Sequence, residues 1–384
     1  MPSGLVMWFA RLMVAGLLVA VGGCSNSPEK PRPSALPVLQ AQVSLQQAWT
    51  QNIGPVSSSM VPMVQSERLA LASARGDVHL LDVATGQVLW RLALGKDVRA
   101  GIGGDGQRFA LITQDNEVLA LQDAKVIWRH RLSAISYTPP LVAGGRVFVL
   151  TADRTLTALD GASGRKLWVQ TRTTDPLVLN QPGLLMAVGD TLVAGLSGRM
   201  VGFNPDSGVV RWELAVGTAR GTNEIERLVD LLGGVYRQQQ SICVRSFQTS
   251  VGCVDTQRSL LLWTRTAQGH SGLEGDGQRL YGVESDGKIL AWNVGNGQPA
   301  WVQDSLRFRG LTAVTRMGAN LVTGDASGWL HILQADNGQL VGRVSVGQSP
   351  VALRPLLAGS TLVVVTEAGQ VMGFRAPDGS GSLK

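Results

Sequence analysis

The sequence predicts an all-β protein, an eight-bladed β-propeller of four-stranded antiparallel blades whose ring is closed by the N-terminal strand completing the last blade. Three observations carry this. A unit of roughly 40 residues recurs along the chain, a period that belongs to many small sheets rather than one large core. Its mark is a polar residue eight positions before a Trp: Asp82 and Trp90, Asp160 and Trp168, Asn204 and Trp212, Asp255 and Trp263, Asn293 and Trp301. Only 16% of the residues are charged and 47 are glycine, a composition suited to short strands and tight turns. Finally, a strand-like segment around Trp49 stands alone before the first full unit, while the last unit lacks its outer strand.

The chain begins with a leader. Residues 12–23 are a short apolar run after Arg11, the length of a signal-peptide core rather than of a bilayer span. The run ends in Val21-Gly22-Gly23-Cys24, which resembles a bacterial lipobox. Residues 1–23 are then the signal peptide and Cys24 the acylated N-terminus. An ordinary signal peptide with an incidental Cys is the plainer alternative. Residues 4–10 are apolar too, so translation from Met7 gives a more ordinary leader than translation from Met1. Each buried methylene of an acyl chain contributes about 0.8 kcal/mol, so several chains anchor stably where one is marginal. Ser25 follows the Cys where Asp retains such proteins at the inner membrane; the resemblance thus implies an outer-membrane lipoprotein facing the periplasm. Residues 24–44 are the lipid anchor and a flexible tether, Pro-rich and without a core pattern.

The propeller is expected over residues 45–375. Each unit opens on an alternating apolar run such as Val147-Phe148-Val149-Leu150, turns at a Gly/Asn/Asp cluster such as Ser285-Asp286-Gly287-Lys288, and returns in a second run such as Thr155-Leu156-Thr157-Ala158-Leu159. Period-two runs split by such turns are antiparallel hairpins. A second turn, as at Ala84-Thr85-Gly86, leads into the strand that ends in Trp. The seventh unit departs from the pattern, with Gly342 where its Trp belongs. The eighth hairpin, 361–374, has no outer strand after it, and residues 46–52 supply one. That closure leaves no loose sheet edge between first and last units. Residues 376–384 are expected to be a flexible tail.

Several chemical signals dissolve on inspection. Gly101-Ile102-Gly103-Gly104-Asp105-Gly106 matches a dinucleotide fingerprint, but strand-like residues follow where a helix is required. Its Gly104-Asp105-Gly106-Gln107-Arg108 also recurs as Gly275-Asp276-Gly277-Gln278-Arg279, the mark of a repeat turn. Residues 282–288 match a P-loop, but Ile289 stands where Ser or Thr must hold magnesium. The four histidines have no metal-ligand spacing. No catalytic residue and no metal site is expected. The net charge of +6 falls by one to +5 when Arg11 leaves with the leader; this is mild and dispersed, so nucleic acid is not expected as a partner.

Cys243 and Cys253 lie equidistant from Gln248 in the fifth hairpin. They are expected to face each other and, in an oxidising envelope, to be bonded; two buried thiols are the alternative.

The turn glycine followed by a strand-ending Trp resembles the pyrroloquinoline-quinone-type propeller repeat, over about residues 45–375. In that family the Trp packs between blades. An enzyme of that kind, a quinone-dependent dehydrogenase, needs calcium and the quinone, more chain over the ring and, frequently, vicinal cysteines that this chain lacks. No cofactor and no enzyme activity is therefore expected. The longest Trp interval, from Trp212 to Trp263, holds the least repeat-like segment, and an added loop on a regular scaffold is where binding concentrates. Within it, Gly221-Thr222-Asn223-Glu224-Ile225-Glu226-Arg227-Leu228-Val229-Asp230 resembles the Gly-Ser/Thr-x-Glu-Ile-Asp/Glu-Arg-Leu-x-Asp stretch of the propeller lipoproteins of the outer-membrane β-barrel assembly machine. The resemblance implies a scaffold that binds the periplasmic POTRA region of BamA through two neighbouring loops.

In the first loop, Leu177 and Leu179 match the family's Leu-x-Leu-Arg, but Asn180 replaces the Arg. In the second, Glu224, Arg227 and Asp230 match, while Leu232 stands where a further Asp is usual. The expected partner-binding residues are thus Leu177, Leu179, Asn180, Glu224, Arg227 and Asp230, and Leu177, Leu179, Arg227 and Asp230 are expected near one another on one side of the ring. The period-two spacing of Leu177 and Leu179 suits strand core equally well. Arg227 is either a partner contact or an internal counter-ion to Glu226 or Asp230. The competing reading is a generic envelope scaffold, or a ring offering a strand edge to unfolded outer-membrane proteins.

Overall fold

The computed structural model describes residues 31–172, 177–219 and 227–377. The chain divides into residues 1–32 and a unit of residues 33–384, and the architecture below is that of the second. Among the described residues all regular structure is β: eight four-stranded antiparallel sheets form an eight-bladed propeller. Cys24, Glu224 and most of the expected tail lie outside the described residues.

Blade one, the first full unit, runs from axis to rim as Met63–Gln65, Arg68–Ala72, Asp77–Asp82 and Val88–Ala93. Its two middle strands are buried almost throughout, whereas the rim strand is exposed or half-buried. A blade is covered by a neighbour on each face, so its middle strands are continuous apolar runs; Thr361–Val365 of blade eight is buried at every position. That blade is completed by the N-terminal strand Gln46–Asn52, which pairs Gln46 with Arg375 and Asn52 with Gln370. The orphan strand therefore closes the ring.

The repeated Trp and turn Gly are two halves of one contact. Trp49 Nε1 donates to Val83 O of the next blade at 2.9 Å, Trp128 to Gly161 O at 2.9 Å, and Trp301 to Ala335 O at 3.0 Å. The following turn glycine lies flat on the indole: Gly86 on Trp49, Gly164 on Trp128, Gly338 on Trp301. A Cβ at any of the three would enter the ring. These three glycines also have φ near +70°, so a side chain at any of them is excluded on two counts. Blade seven has Gly342 in the Trp register, opposite Ile332 as Trp90 is opposite Leu80. The place is taken instead by the segment upstream of the N-terminal strand, because a Cβ on Gly342 would meet Val43 O.

Two further features bear on the expectations. Cys243 and Cys253 are Cα partners across the middle strands of blade five, joined by a disulfide and buried. The segment expected as free tether is held on the ring from Ser34 onward, because Arg309 and Arg343 donate to its carbonyls.

Candidate functional site

Strand direction alternates within each blade. The linkers between blades, and the turns joining each blade's two middle strands, therefore share one end of the ring, here the linker end. The remaining turns share the opposite end. Both loops singled out from sequence are at the linker end: 177–180 lies between blades three and four, and 227–232 between blades four and five.

The turn between the middle strands needs a left-handed residue. Most blades supply Gly76, Asn116, Gly198, Gly287, Gly328 or Gly369; blade three uses Arg154, at φ 62°. A non-glycine residue there costs on the order of 1–2 kcal/mol, and it persists where its surroundings hold it. Arg154 is 8% exposed. Its Nη2 lies 2.6 Å from Asp230 Oδ1 and donates to Leu177 O at 3.1 Å. The other carboxylate oxygen, Asp230 Oδ2, accepts the amide of Leu179 at 3.1 Å. One buried ion pair thus grips the backbone of the first loop at both leucines.

The second loop is pinned just as firmly. Phe247 N donates to Asp230 O at 2.9 Å, and Ser246 Oγ to Val229 O at 2.8 Å. Leu232 bridges Gly183 in antiparallel fashion, and Leu184 N donates to Leu231 O at 3.0 Å, stitching the two linkers together. Leu231 and Leu232 are 1% and 3% exposed. Facing outward are Leu177, at 37% exposure, with Asn180 and Arg227; Leu179 is half-buried. The structure thus brings Leu177, Leu179 and Asp230 into one cluster, with Asn180 adjacent in the chain. Asp230 itself is turned inward, 8% exposed.

Sequence reasoning did not find Arg154. A signal was available: lined up by repeat, it is the one long cation at a turn position that most units fill with Gly or Asn.

Two other buried ion pairs fasten linkers in the same way. Arg245, 1% exposed, pairs with Glu284 at 2.8 Å, and Glu284 also accepts the amide of Gln268 in the linker between blades five and six. Arg309, in the linker between blades six and seven, pairs with Asp325 at 2.7 Å, and Asp325 accepts from His331 Nε2 at 2.9 Å. Burial pushes the Asp325 carboxyl up, but its donors outweigh this and hold it down at about 2. Burial holds His331 below its ordinary 6.5, against the pull of Asp325. On the ring axis an open funnel of about 1210 Å³ is lined by Pro62, Pro140, Pro182, Val235 and Pro355, with the Glu274–Arg354 ion pair on its wall. Among the described residues no cluster of His, Cys, Asp or Glu is arranged to hold a metal ion.

Comparison with known proteins sets this geometry in a lineage. The model of the family described as "Outer membrane protein assembly factor BamB" matches residues 45–100 and 74–303. A relative of that name from Burkholderia pseudomallei is 31% identical over 371 residues, covering 95% of this chain and 97% of its own. Among solved structures, BamB from Moraxella catarrhalis superposes with a TM-score of 0.79 at 22% identity, covering 86% of this chain and all of its own. The quinohemoprotein alcohol dehydrogenase of Comamonas testosteroni gives 0.68 at 12% identity, covering 88% of this chain and 77% of its own; that likeness is one of fold.

Proposed function

This chain belongs to the family of the outer membrane protein assembly factor BamB, and from that premise we propose that it is a non-enzymatic scaffold of the outer-membrane β-barrel assembly machine. In this reading it is anchored in the outer membrane through acylated Cys24 and faces the periplasm. Its linker end binds the POTRA region of BamA and so assists assembly and insertion of barrel proteins.

The observation that carries the reading is the clamp. Two leucines of a loop that resembles the family's partner loop are held from beneath by Arg154 and Asp230, one exposed and one half-buried. Rigid presentation of apolar anchors lowers the ordering cost of binding. The roles then divide. Leu177 and Leu179 touch the partner, with Asn180, Arg227 and Glu224 at the rim of the contact. Asp230 acts through the loop it positions.

The test is capture from solubilised outer membranes by the full chain. The unaltered protein is expected to bring down a barrel-assembly protein. Leu177→Ala with Leu179→Ala is expected to lose it at an unchanged melting temperature. Because Asn180 and Leu232 stand where charges are usual, capture is expected to weaken little as salt rises. Equal capture by the double variant, or none by the unaltered chain, rejects the proposal.

A further inference from the structure

The rim strand Gln46–Asn52 starts at the opposite end of the ring, where Gln46 meets Arg375, the last residue of its partner strand. A chain hanging from Gln46 would leave the ring at that end. Instead, upstream of buried Leu45, residues 34–43 run back across the rim of blade seven, antiparallel to its strand Leu340–Ser345. The amides of Gln42 and Val43 donate to Val341 O at 2.8 and 3.1 Å. Two residues further along that strand, Arg343 Nη2 donates to Pro37 O at 3.2 Å. Ser34 reaches the linker end. Its amide donates to Arg307 O at 2.9 Å, its hydroxyl to Ser305 O at 2.8 Å, and its carbonyl accepts from Arg309 Nη1 at 2.9 Å.

The seat is built for this segment. Arg309 is 6% exposed and is fixed from its other side by Asp325. Arg343 lies over the Trp329 ring, 6.0 Å from its centroid. Gly342, the residue in the missing Trp's place, has no room for a side chain, because a Cβ there would meet Val43 O.

We propose that residues 34–43 are a docked strap that moves the exit of the anchored chain to the linker end, and so turns that end toward the lipid surface. The proposal rests on the lipoprotein reading of Cys24. Ser34 stands only ten positions after Cys24, at most about 33–36 Å of chain. Measured from Leu45 the reach would be roughly twice that, and from the wrong end.

Two measurements on the full chain test this. In hydrogen exchange, the amides of Ser34, Gln42 and Val43 are expected to be protected, and those of Gln42 and Val43 to lose protection in the release variant Ser34→Pro with Arg343→Ala. Amides exchanging as in a free chain overturn the strap, whether or not the protein is anchored. For orientation, a donor dye is placed on Ser327→Cys, at the linker end of blade seven, or on Ala319→Cys, at the opposite end; both positions are exposed. The anchored protein is then bound to vesicles of phosphatidylethanolamine and phosphatidylglycerol carrying a headgroup acceptor. Energy transfer from position 327 is expected to exceed that from 319, and the ratio to fall to one or below in the release variant. Equal or greater transfer from 319 in the unaltered chain overturns the orientation. Failure to float with the vesicles defeats the anchor reading instead, and the orientation with it.

Discussion

At the scale of single residues, the linker end depends on charges largely shielded from water. Asp230 and Arg154 have side chains 11% and 9% exposed. Removing one partner of such a pair leaves the other charge buried and uncompensated, at about 3–5 kcal/mol. Asp230→Ala is therefore expected to destabilise by about that much in urea denaturation and to expose the Leu179 amide to exchange. A change below about 1 kcal/mol would place the pair among surface ion pairs and remove the clamp from the argument. Two buried histidines, His331 and His79, and half-buried His270 set the acid limb. His331, His79 and His270 are each held below 6.5, burial being the largest cause in every case. The unfolded chain therefore takes up protons first as pH falls through 6.5, and native stability drops with it. Asp325, depressed from 3.8 to about 2, adds stability that persists above 3.8 and disappears as pH falls toward 2. The melting temperature is expected to decline from pH 7 to pH 5, less steeply in His331→Gln. A flat profile over that window contradicts the assignment.

At the scale of the element, blade five differs from its neighbours in being covalently closed. The Cys243–Cys253 link spans ten residues. A loop of that size restricts the unfolded chain enough to stabilise by about 2.5–3 kcal/mol on the chain-entropy model. The double variant Cys243→Ser with Cys253→Ser is expected to lose about that much in chemical denaturation. The unaltered protein under reductant should behave alike, and two free thiols titrated in the oxidised protein would count against the bond. Between blades the element that matters is the Trp-on-Gly contact. It was legible as a repeated pair of residues, yet which neighbouring blade each Trp touches was not, because the indole lies on a glycine of its own sheet, as Trp49 does on Gly373, and also crosses to the next.

The whole molecule depends on one short strand. Residues 46–52 supply the rim of blade eight, and Trp49 reaches across to blade one at Val83 and Gly86. Truncating a core Trp costs about 3–5 kcal/mol. Deleting the strand exposes an unpaired edge as well. A chain lacking 46–52 is expected to melt well below the intact protein and to self-associate. An equal melting temperature for the two would show that the ring does not need this closure.

Local pattern determined most of this fold. Alternating apolar runs, turn glycines and a fixed Trp period each depend on residues a few positions apart, so eight hairpins and an unpaired N-terminal strand could be read directly. The two loops at the linker end were also legible, through their departure from the repeat and their resemblance to a known family. The tertiary structure alone decided what those loops' charges do. Asp230 meets Arg154 seventy-six positions earlier, and Ser34 meets Arg309 at a separation of 275. A ring brings such groups together by closing, and nothing in the spacing of residues along a strand records which turn will face which linker. Gly342 is a like case: its missing Trp was visible in the sequence, but the segment that lies against it, at Val43 O, is one that only the folded ring places beside it.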